Sequence, residues 1–161
     1  MHNTIGMNEY YAAMRDEMKN AFRSENIVQA EYCAMHLIMT VEASACRENV
    51  NGIRFENLIV DRTDYELAEK LLKDELDTFR KSDKKSLFIV ILLEGMIFSV
   101  TFAGLGVSQI ISIAFIAAIV AAEVFFNHLT FSVRLNKWKE KRYAKNVNPD
   151  LLVYNNRWLK A

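Results

Sequence analysis

Two glutamates are the residues of this chain whose surroundings most favour a chemical role. Glu94 and Glu123 are the only formally charged residues among the 48 that lie between Lys85 and Arg134, and most of their neighbours are apolar. Carboxylates in such a stretch usually face protein or water, because exposure to lipid costs several kcal/mol. Two hypotheses follow: a carboxyl pair that handles protons or cations, or a polar contact that holds an assembly together.

The stretch itself predicts two transmembrane helices. A turn at Gly104-Leu105-Gly106 divides it into a first arm, about residues 86–104, and a second arm, about residues 108–133. A bilayer core about 30 Å thick needs roughly 20 apolar residues of helix, so each arm is long enough to cross it. Cations flank the pair and the link between the arms carries none. The positive-inside rule therefore predicts that both termini of this integral membrane protein face the cytoplasm or its topological equivalent.

Small residues form one face of each arm and are candidates for helix packing, because they let a neighbouring backbone approach closely. These residues are Gly95, Ser99, Ala103 and Gly106 in the first arm, and Ala114 and Ala118 in the second. If the two small faces pack together, Glu123 points away from its own hairpin and meets another chain or lines a polar pathway. If the second arm is rotated instead, Glu123 turns toward Glu94. Their distances from the flanking cations place the two glutamates within about 3 Å of the same depth.

Two more polar side chains lie near Glu123. Asn127 shares its helix face, at 100° per residue, whereas His128 lies about 140° away. His128 is also near the cytoplasmic end, where an imidazole reaches the headgroups. We therefore interpret it as an interfacial histidine rather than a ligand. Glu94, Glu123, Asn127 and His128 are therefore the intramembrane candidates for a functional role.

The residues outside the arms also predict helices. One proline and five glycines in 161 residues favour an all-α fold. Apolar stripes at three- and four-residue steps predict a helix or a broken pair over 7–48 and a helix over 64–81, which Thr63 begins through a capping box. Asn148 and Pro149 predict the cap and first residue of a short, amphipathic last helix.

These elements predict three parts along the chain. The first is a helical cytoplasmic lobe over 1–83, the second is the transmembrane hairpin over 84–134, and the third is a basic and aromatic membrane-proximal segment over 135–161. The methionine-rich stripe of the N-terminal helix indicates an adaptable packing surface.

The net charge of zero conceals an asymmetry. Residues 1–85 carry 16 acidic and 12 basic side chains, whereas residues 134–161 carry eight basic and two acidic ones. A basic segment beside apolar helices indicates contact with anionic headgroups, and tryptophan is typical of that interface. No nucleic-acid motif accompanies it, so nucleic acid is not an expected partner. The predicted membrane-surface residues are Lys84, Lys85, Arg134, Lys137, Trp138, Lys139, Lys141, Arg142 and Trp158.

One segment resembles a known family. Glu94-Gly95-Met96-Ile97-Phe98-Ser99-Val100-Thr101-Phe102-Ala103 is similar to the EGxxFxxxFA helix of the ribonucleotide reductase small subunit, in which the glutamate is a metal ligand. That family also needs Glu-x-x-His on two further helices, whereas Glu31 and His36, and Glu123 and His128, are five residues apart here. The resemblance thus implies a soluble, metal-free relative of the ferritin-like carboxylate bundles.

No enzymatic motif accompanies these features. The sequence has no glycine-rich phosphate loop, GxSxG or HExxH, and Cys33 and Cys46 lie too far apart on one predicted helix for a disulfide. We expect two free thiols and no catalytic residue, metal, cofactor or small-molecule substrate.

The function predicted from the sequence is that of a non-catalytic subunit. It would be a structural or accessory protein of the lipid bilayer that assembles with itself or with the subunits of a larger membrane complex. The alternatives are an ion- or proton-conducting element that uses Glu94 and Glu123, and the soluble carboxylate bundle.

Overall fold

The structure, a computed structural model, describes residues 7–48 and 58–158. All regular secondary structure in these ranges is helical, which confirms the predicted all-α fold class. The helices are α1 (Met7–Arg23), α2 (Ile27–Glu48), α3 (Arg62–Gly104), α4 (Gln109–Leu129), α5 (Phe131–Asn146) and α6 (Pro149–Trp158).

The predicted helix over 7–48 is a broken pair. α1 ends at Arg23 and α2 begins at Ile27, and between them Glu25 has a φ of 60°, in the left-handed region that ends helices. The Asn26 amide donates to the Ala21 carbonyl at 2.9 Å, which satisfies one of the last carbonyls of α1. The tight turn lets the methionine and tyrosine stripe of α1 pack against α2.

The start of α3 differs from the predicted capping box. Thr63 lies inside the helix, and its backbone amide and hydroxyl both donate to Oδ1 of Asp61, at 2.9 and 2.7 Å. Asp61 is therefore the cap, because its short carboxylate reaches the first free amides. α3 also continues without a break past residue 81 to Gly104, so the expected lobe helix and the first arm are one helix of 43 residues.

The described residues divide into two compact units. The lobe unit comprises the residues up to Leu76 together with those from Lys139 onward, and the arm unit comprises Asp77–Trp138. The segment after Trp138, expected as a separate membrane-proximal part, is thus grouped with the lobe. The prediction of its last helix is confirmed, because the Asp150 amide donates to the Asn148 side chain at 3.0 Å and Pro149 begins α6.

The lobe unit has a conventional apolar core. Its buried residues come from α1, α2, the beginning of α3 and the end of α5, and they include most of the stripe predicted for the N-terminal helix. They are Tyr10, Tyr11, Met14, Met18, Ala21, Ala30, Tyr32, Cys33, Ala34, Leu37, Ala68, Leu71, Tyr143 and Val147.

The arm unit comprises α3 from Asp77 onward, α4 and the first part of α5, and ring contacts join its helices at both ends. The ring of Phe79 lies 5.4 Å from those of Phe131 and Trp138 at one end, and the ring of Phe102 lies 5.3 Å from that of Phe115 at the other. α3 and α4 are both long and apolar enough to cross a membrane, and none of the residues in their apolar windows is buried.

The arms are joined by a short link. Gly106 has a φ of 66°, a conformation that a glycine adopts without steric cost, and the Val107 amide donates to the Phe102 carbonyl at 3.1 Å. This closes the last turn of α3, and α4 begins at Gln109.

Candidate functional site

Hydroxyl groups in the arms are satisfied by their own helices. Ser99 donates to the Gly95 carbonyl at 2.7 Å, Thr101 to Ile97 at 2.8 Å, and Ser112 and Thr130 bond in the same way to the carbonyls four residues before them. Such bonds leave no hydroxyl hydrogen without an acceptor. These side chains therefore suit an environment without water.

A polar cluster joins the two helices at the end of the arm unit opposite the link. Asp83 of α3 forms an ion pair with Arg134 of α5 and accepts a hydrogen bond of 3.4 Å from Asn127 of α4. Arg134 also donates to the Asn127 carbonyl at 2.6 Å. We call these three residues the Asp83 clamp. Charge-assisted bonds of this kind fix the register of one helix against the other.

The clamp and the aromatic contacts near the link relate the levels of the two glutamates. Asp83 contacts both Asn127 and Arg134, and the ring of Phe115 lies near those of Phe98 and Phe102. Because helices rise 1.5 Å per residue, these contacts place Glu94 level with the part of α4 between Ile116 and Glu123.

Both glutamates also lie on the half-buried faces of their helices. On α3 this face carries Leu87, Ile91, Glu94, Phe98 and Phe102; on α4 it carries Ser112, Ile116, Glu123 and Asn127. Oε2 of Glu94 is buried and has no hydrogen-bond partner among the described residues. The rotated second arm, in which Glu123 turns toward Glu94, stays a prediction.

The small residues predicted for helix packing lie elsewhere. Gly95 is half-buried on the same side as Glu94, with open space around the position that a Cβ would occupy. The others are exposed: Ser99, Ala103, Gly106, Ala114 and Ala118. Their small faces are therefore available to a partner outside this chain, and their packing role stays a prediction.

The remaining predicted residues separate into internal and exposed sets. Asn127 belongs to the Asp83 clamp, and His128 is exposed. Among the predicted membrane-surface residues, Lys84, Lys85, Lys137 and Lys141 are exposed, whereas Arg134, Trp138, Lys139 and Arg142 are half-buried; nothing is described of the Trp158 side chain.

Buried charge in the lobe unit was not predicted from the sequence. Glu75 of α3 is fully buried, with its Oε2 2.7 Å from Nζ of Lys139 and its Oε1 accepting a 2.6 Å hydrogen bond from the Tyr143 hydroxyl. Burial and this hydrogen bond raise the pKa of Tyr143, so its hydroxyl stays protonated and acts as the donor. Two residues of α5 thus hold one carboxylate of α3.

Glu31 of α2 forms the second buried ion pair. It is 2% exposed, and its Oε2 lies 2.8 Å from Nη2 of Arg142. Desolvation raises the pKa of Glu31 to about 7, against the opposing effect of Arg142 and with a further contribution from the charge of Glu75. The carboxyl group therefore changes its charge near neutral pH.

A neutral histidine lies in the same core. Nδ1 of His36 is 3.0 Å from the Tyr10 hydroxyl, and its ring packs on that of Tyr32 at 4.6 Å. Burial lowers the pKa of His36 to about 4, so the ring is uncharged at neutral pH. The adjacent Cys33 is a buried free thiol whose pKa is raised by burial to about 12, which makes it an unreactive thiol.

A third buried carboxylate joins α3 to α1. Asp64 is 3% exposed, and its oxygens lie 2.6 Å from Nζ of Lys19 and 3.8 Å from Nε of Arg15. The sequence signal for these acids is weak but present: Asp64, Glu75 and Phe79 lie on the same α3 face as the buried Ala68 and Leu71. An acid within an apolar stripe is a candidate for burial with a cation.

The acids do not form a metal site in the part of the chain that the structure describes. No group of three or more histidine, cysteine, aspartate or glutamate side chains there is arranged to hold a metal ion. The described residues therefore provide no set of metal ligands that would support the resemblance to the ribonucleotide reductase helix. What the sites can do is hold charge, pair helices and exchange protons.

Comparisons with protein family models, with curated proteins and with solved structures give no match to this chain.

Proposed function

We propose that this chain is a two-pass integral membrane protein, with a helical hairpin as its anchor, that acts as a structural or accessory subunit. One observation carries the proposal: two helices of membrane-spanning length bury none of the residues in their apolar windows. The same chain buries an ordinary core in its lobe unit. Apolar surface of this extent needs cover, and lipid is the solvent that covers two helices whose backbone bonds are satisfied internally.

The proposed topology places both termini on the cytoplasmic side or its equivalent. The support is the distribution of lysine and arginine, which lie before the apolar part of α3 and after α4 ends, with none in the link. The back-bonded hydroxyls along the arms agree with a spanning position, because unpaired hydroxyls are costly in hydrocarbon.

Assembly with another chain is supported by the faces that the hairpin leaves uncovered. Ser99 and Ala103 of α3 and Ala114 and Ala118 of α4 are all exposed, although small residues are what close helix packing in membranes requires. We infer that these faces contact a second copy or a subunit of a larger complex, while the glutamates stay within the hairpin.

Membrane fractionation with carbonate extraction, followed by sizing in a mild detergent, tests this function. We expect the chain to remain in the carbonate-resistant pellet and, after solubilisation, to elute as an assembly larger than one chain in its micelle. A chain that stays in the supernatant without detergent would contradict the membrane proposal. A chain that is membrane-bound but monomeric would contradict only the assembly.

A second candidate function is the handling of protons or cations by the two intramembrane glutamates. Both glutamates lie on the half-buried faces of their helices, and this position favours it. Carboxyl groups within membrane-spanning segments usually face protein or water and often mark ion or proton pathways.

Neutral substitutions separate the two functions. If the glutamates handle ions, Glu94→Gln and Glu123→Gln each abolish proton or cation flux into vesicles that contain the purified protein, and the sizing profile stays unchanged. Loss of the assembly without any measurable flux in the unsubstituted protein would instead assign the pair a structural role. Thr101→Val, a change at an exposed position of α3 outside the small face, serves as the control.

A further inference from the structure

Four lysines form an exposed group at the end of the arm unit that lies away from the link. Three of them, Lys81, Lys84 and Lys85, belong to α3, and Lys137 belongs to α5. We call this group the lysine collar. None of the four makes an ion pair or a hydrogen bond with another residue in the described ranges. Their like charges give this end of the arm unit a positive potential that attracts anions from outside the chain.

Nearby acids are already engaged. Asp83 lies among the collar lysines, but its carboxylate is held by Arg134 and Asn127 in the clamp. Asp77 pairs with Arg80, whose Nη1 lies 3.7 Å from its Oδ1. The clamp thus fixes two helix ends in register and also leaves the collar as a concentration of uncompensated positive charge.

We propose that the lysine collar binds the phosphate groups of anionic phospholipids. The collar adjoins the apolar arms, so lysine stems can lie along apolar surface while their ammonium groups reach the headgroup level. Trp138, Phe79 and Phe131 form an aromatic group in the same part of the unit, as is usual at a membrane interface. A nucleic acid would need a basic face extending away from the apolar arms.

This assignment shifts most of the lipid contact from the basic tail, residues 134–161, to the lysines of α3. Three of the tail's cations pair with internal carboxylates: Arg134 with Asp83, Lys139 with Glu75 and Arg142 with Glu31. These are three of the eight basic residues in the tail. The inference rests on the proposed membrane function and names the lipid class that its surface selects.

Lipid selectivity around Trp138 tests the collar. The full chain, with Trp158→Phe so that one tryptophan remains, is reconstituted into vesicles of phosphatidylcholine and phosphatidylglycerol, with bromine quencher on either lipid. We expect brominated phosphatidylglycerol to quench Trp138 more than its bulk fraction predicts. Since each lysine near an anionic surface favours it about fivefold, Lys81→Gln with Lys84→Gln and Lys85→Gln should remove this enrichment almost completely.

Matched triples identify the cause. Lys70→Gln with Lys73→Gln and Lys145→Gln removes the same charge from exposed positions of the lobe unit and should leave the enrichment intact. Replacing the three collar lysines of α3 with arginine should retain it. The proposal would be overturned if phosphatidylglycerol remained enriched around Trp138 in the variant with Lys81, Lys84 and Lys85 changed to Gln. It would also be overturned if millimolar inorganic phosphate abolished the enrichment in the unsubstituted collar. Failure of every variant to enter vesicles would instead count against the membrane function itself.

Discussion

Glu31 and His36 are two buried groups in one core that have opposite effects on the pH dependence of stability. Glu31 has a raised pKa, so the folded lobe binds its proton more tightly than the unfolded chain, and stability falls as pH rises from 4.5 to about 7. His36 has a lowered pKa, so the unfolded chain binds its proton more tightly, and stability rises with pH from about 4 to 6.5.

The two effects predict that the free energy of unfolding of the lobe changes little with pH. A substitution at either residue should reveal the pH dependence due to the other. Between pH 4.5 and 6.5 the contributions cancel in the unsubstituted chain, and between 6.5 and about 7 only the loss due to Glu31 remains. In Glu31→Gln, stability should rise with pH over the lower window, by up to about 1.4 kcal/mol per unit. In His36→Asn, which keeps an acceptor for Tyr10, it should fall instead.

Hydrogen exchange of the α2 amides, corrected for its intrinsic pH dependence, measures the free energy of opening of the lobe. The double variant is the control and should be flat across the whole range. Parallel profiles for Glu31→Gln and the unsubstituted chain would show that Arg142 keeps Glu31 ionised despite its burial.

At the scale of elements, the antiparallel contact between α3 and α4 gives a prediction about two pairs of positions. Glu94 and Glu123 both lie on half-buried faces, whereas Ser99 and Ala118, five residues further along each helix, both lie on exposed faces. In a background with Cys33 and Cys46 changed to alanine, Glu94→Cys with Glu123→Cys should form a disulfide within one chain under mild oxidation. Ser99→Cys with Ala118→Cys should instead join separate chains.

Electrophoresis without reductant, before and after protease cleavage within the link, distinguishes the two kinds of bond. The reverse result, with Ser99 and Ala118 joined within one chain, would restore the packing of the small faces against each other. That packing was a reasonable expectation from periodicity, which defines the faces of a helix but not which face meets a given neighbour. The Asp83 clamp joins residues 44 and 51 positions apart, a long-range contact that periodicity alone does not predict.

For the whole molecule, the sequence was informative about class and weak about internal pairing. Composition and periodicity were enough to predict an all-α chain, two long apolar helices and the cap at Asn148. They could not show that Lys139 and Arg142 neutralise Glu75 and Glu31, because those pairs join residues far apart in the chain. Three of the eight basic residues of the segment therefore pair with internal carboxylates, which composition alone does not reveal.

The short link between the arms has a consequence for which compartment can influence this protein. In the proposed topology only Leu105, Gly106, Val107 and Ser108 emerge on the far side of the membrane, and none of them carries an ionisable side chain. A change of pH or salt in that compartment meets no titratable group at the surface. Every charged group outside the membrane-spanning helices lies on the side of the termini, so the protein responds directly to that compartment alone.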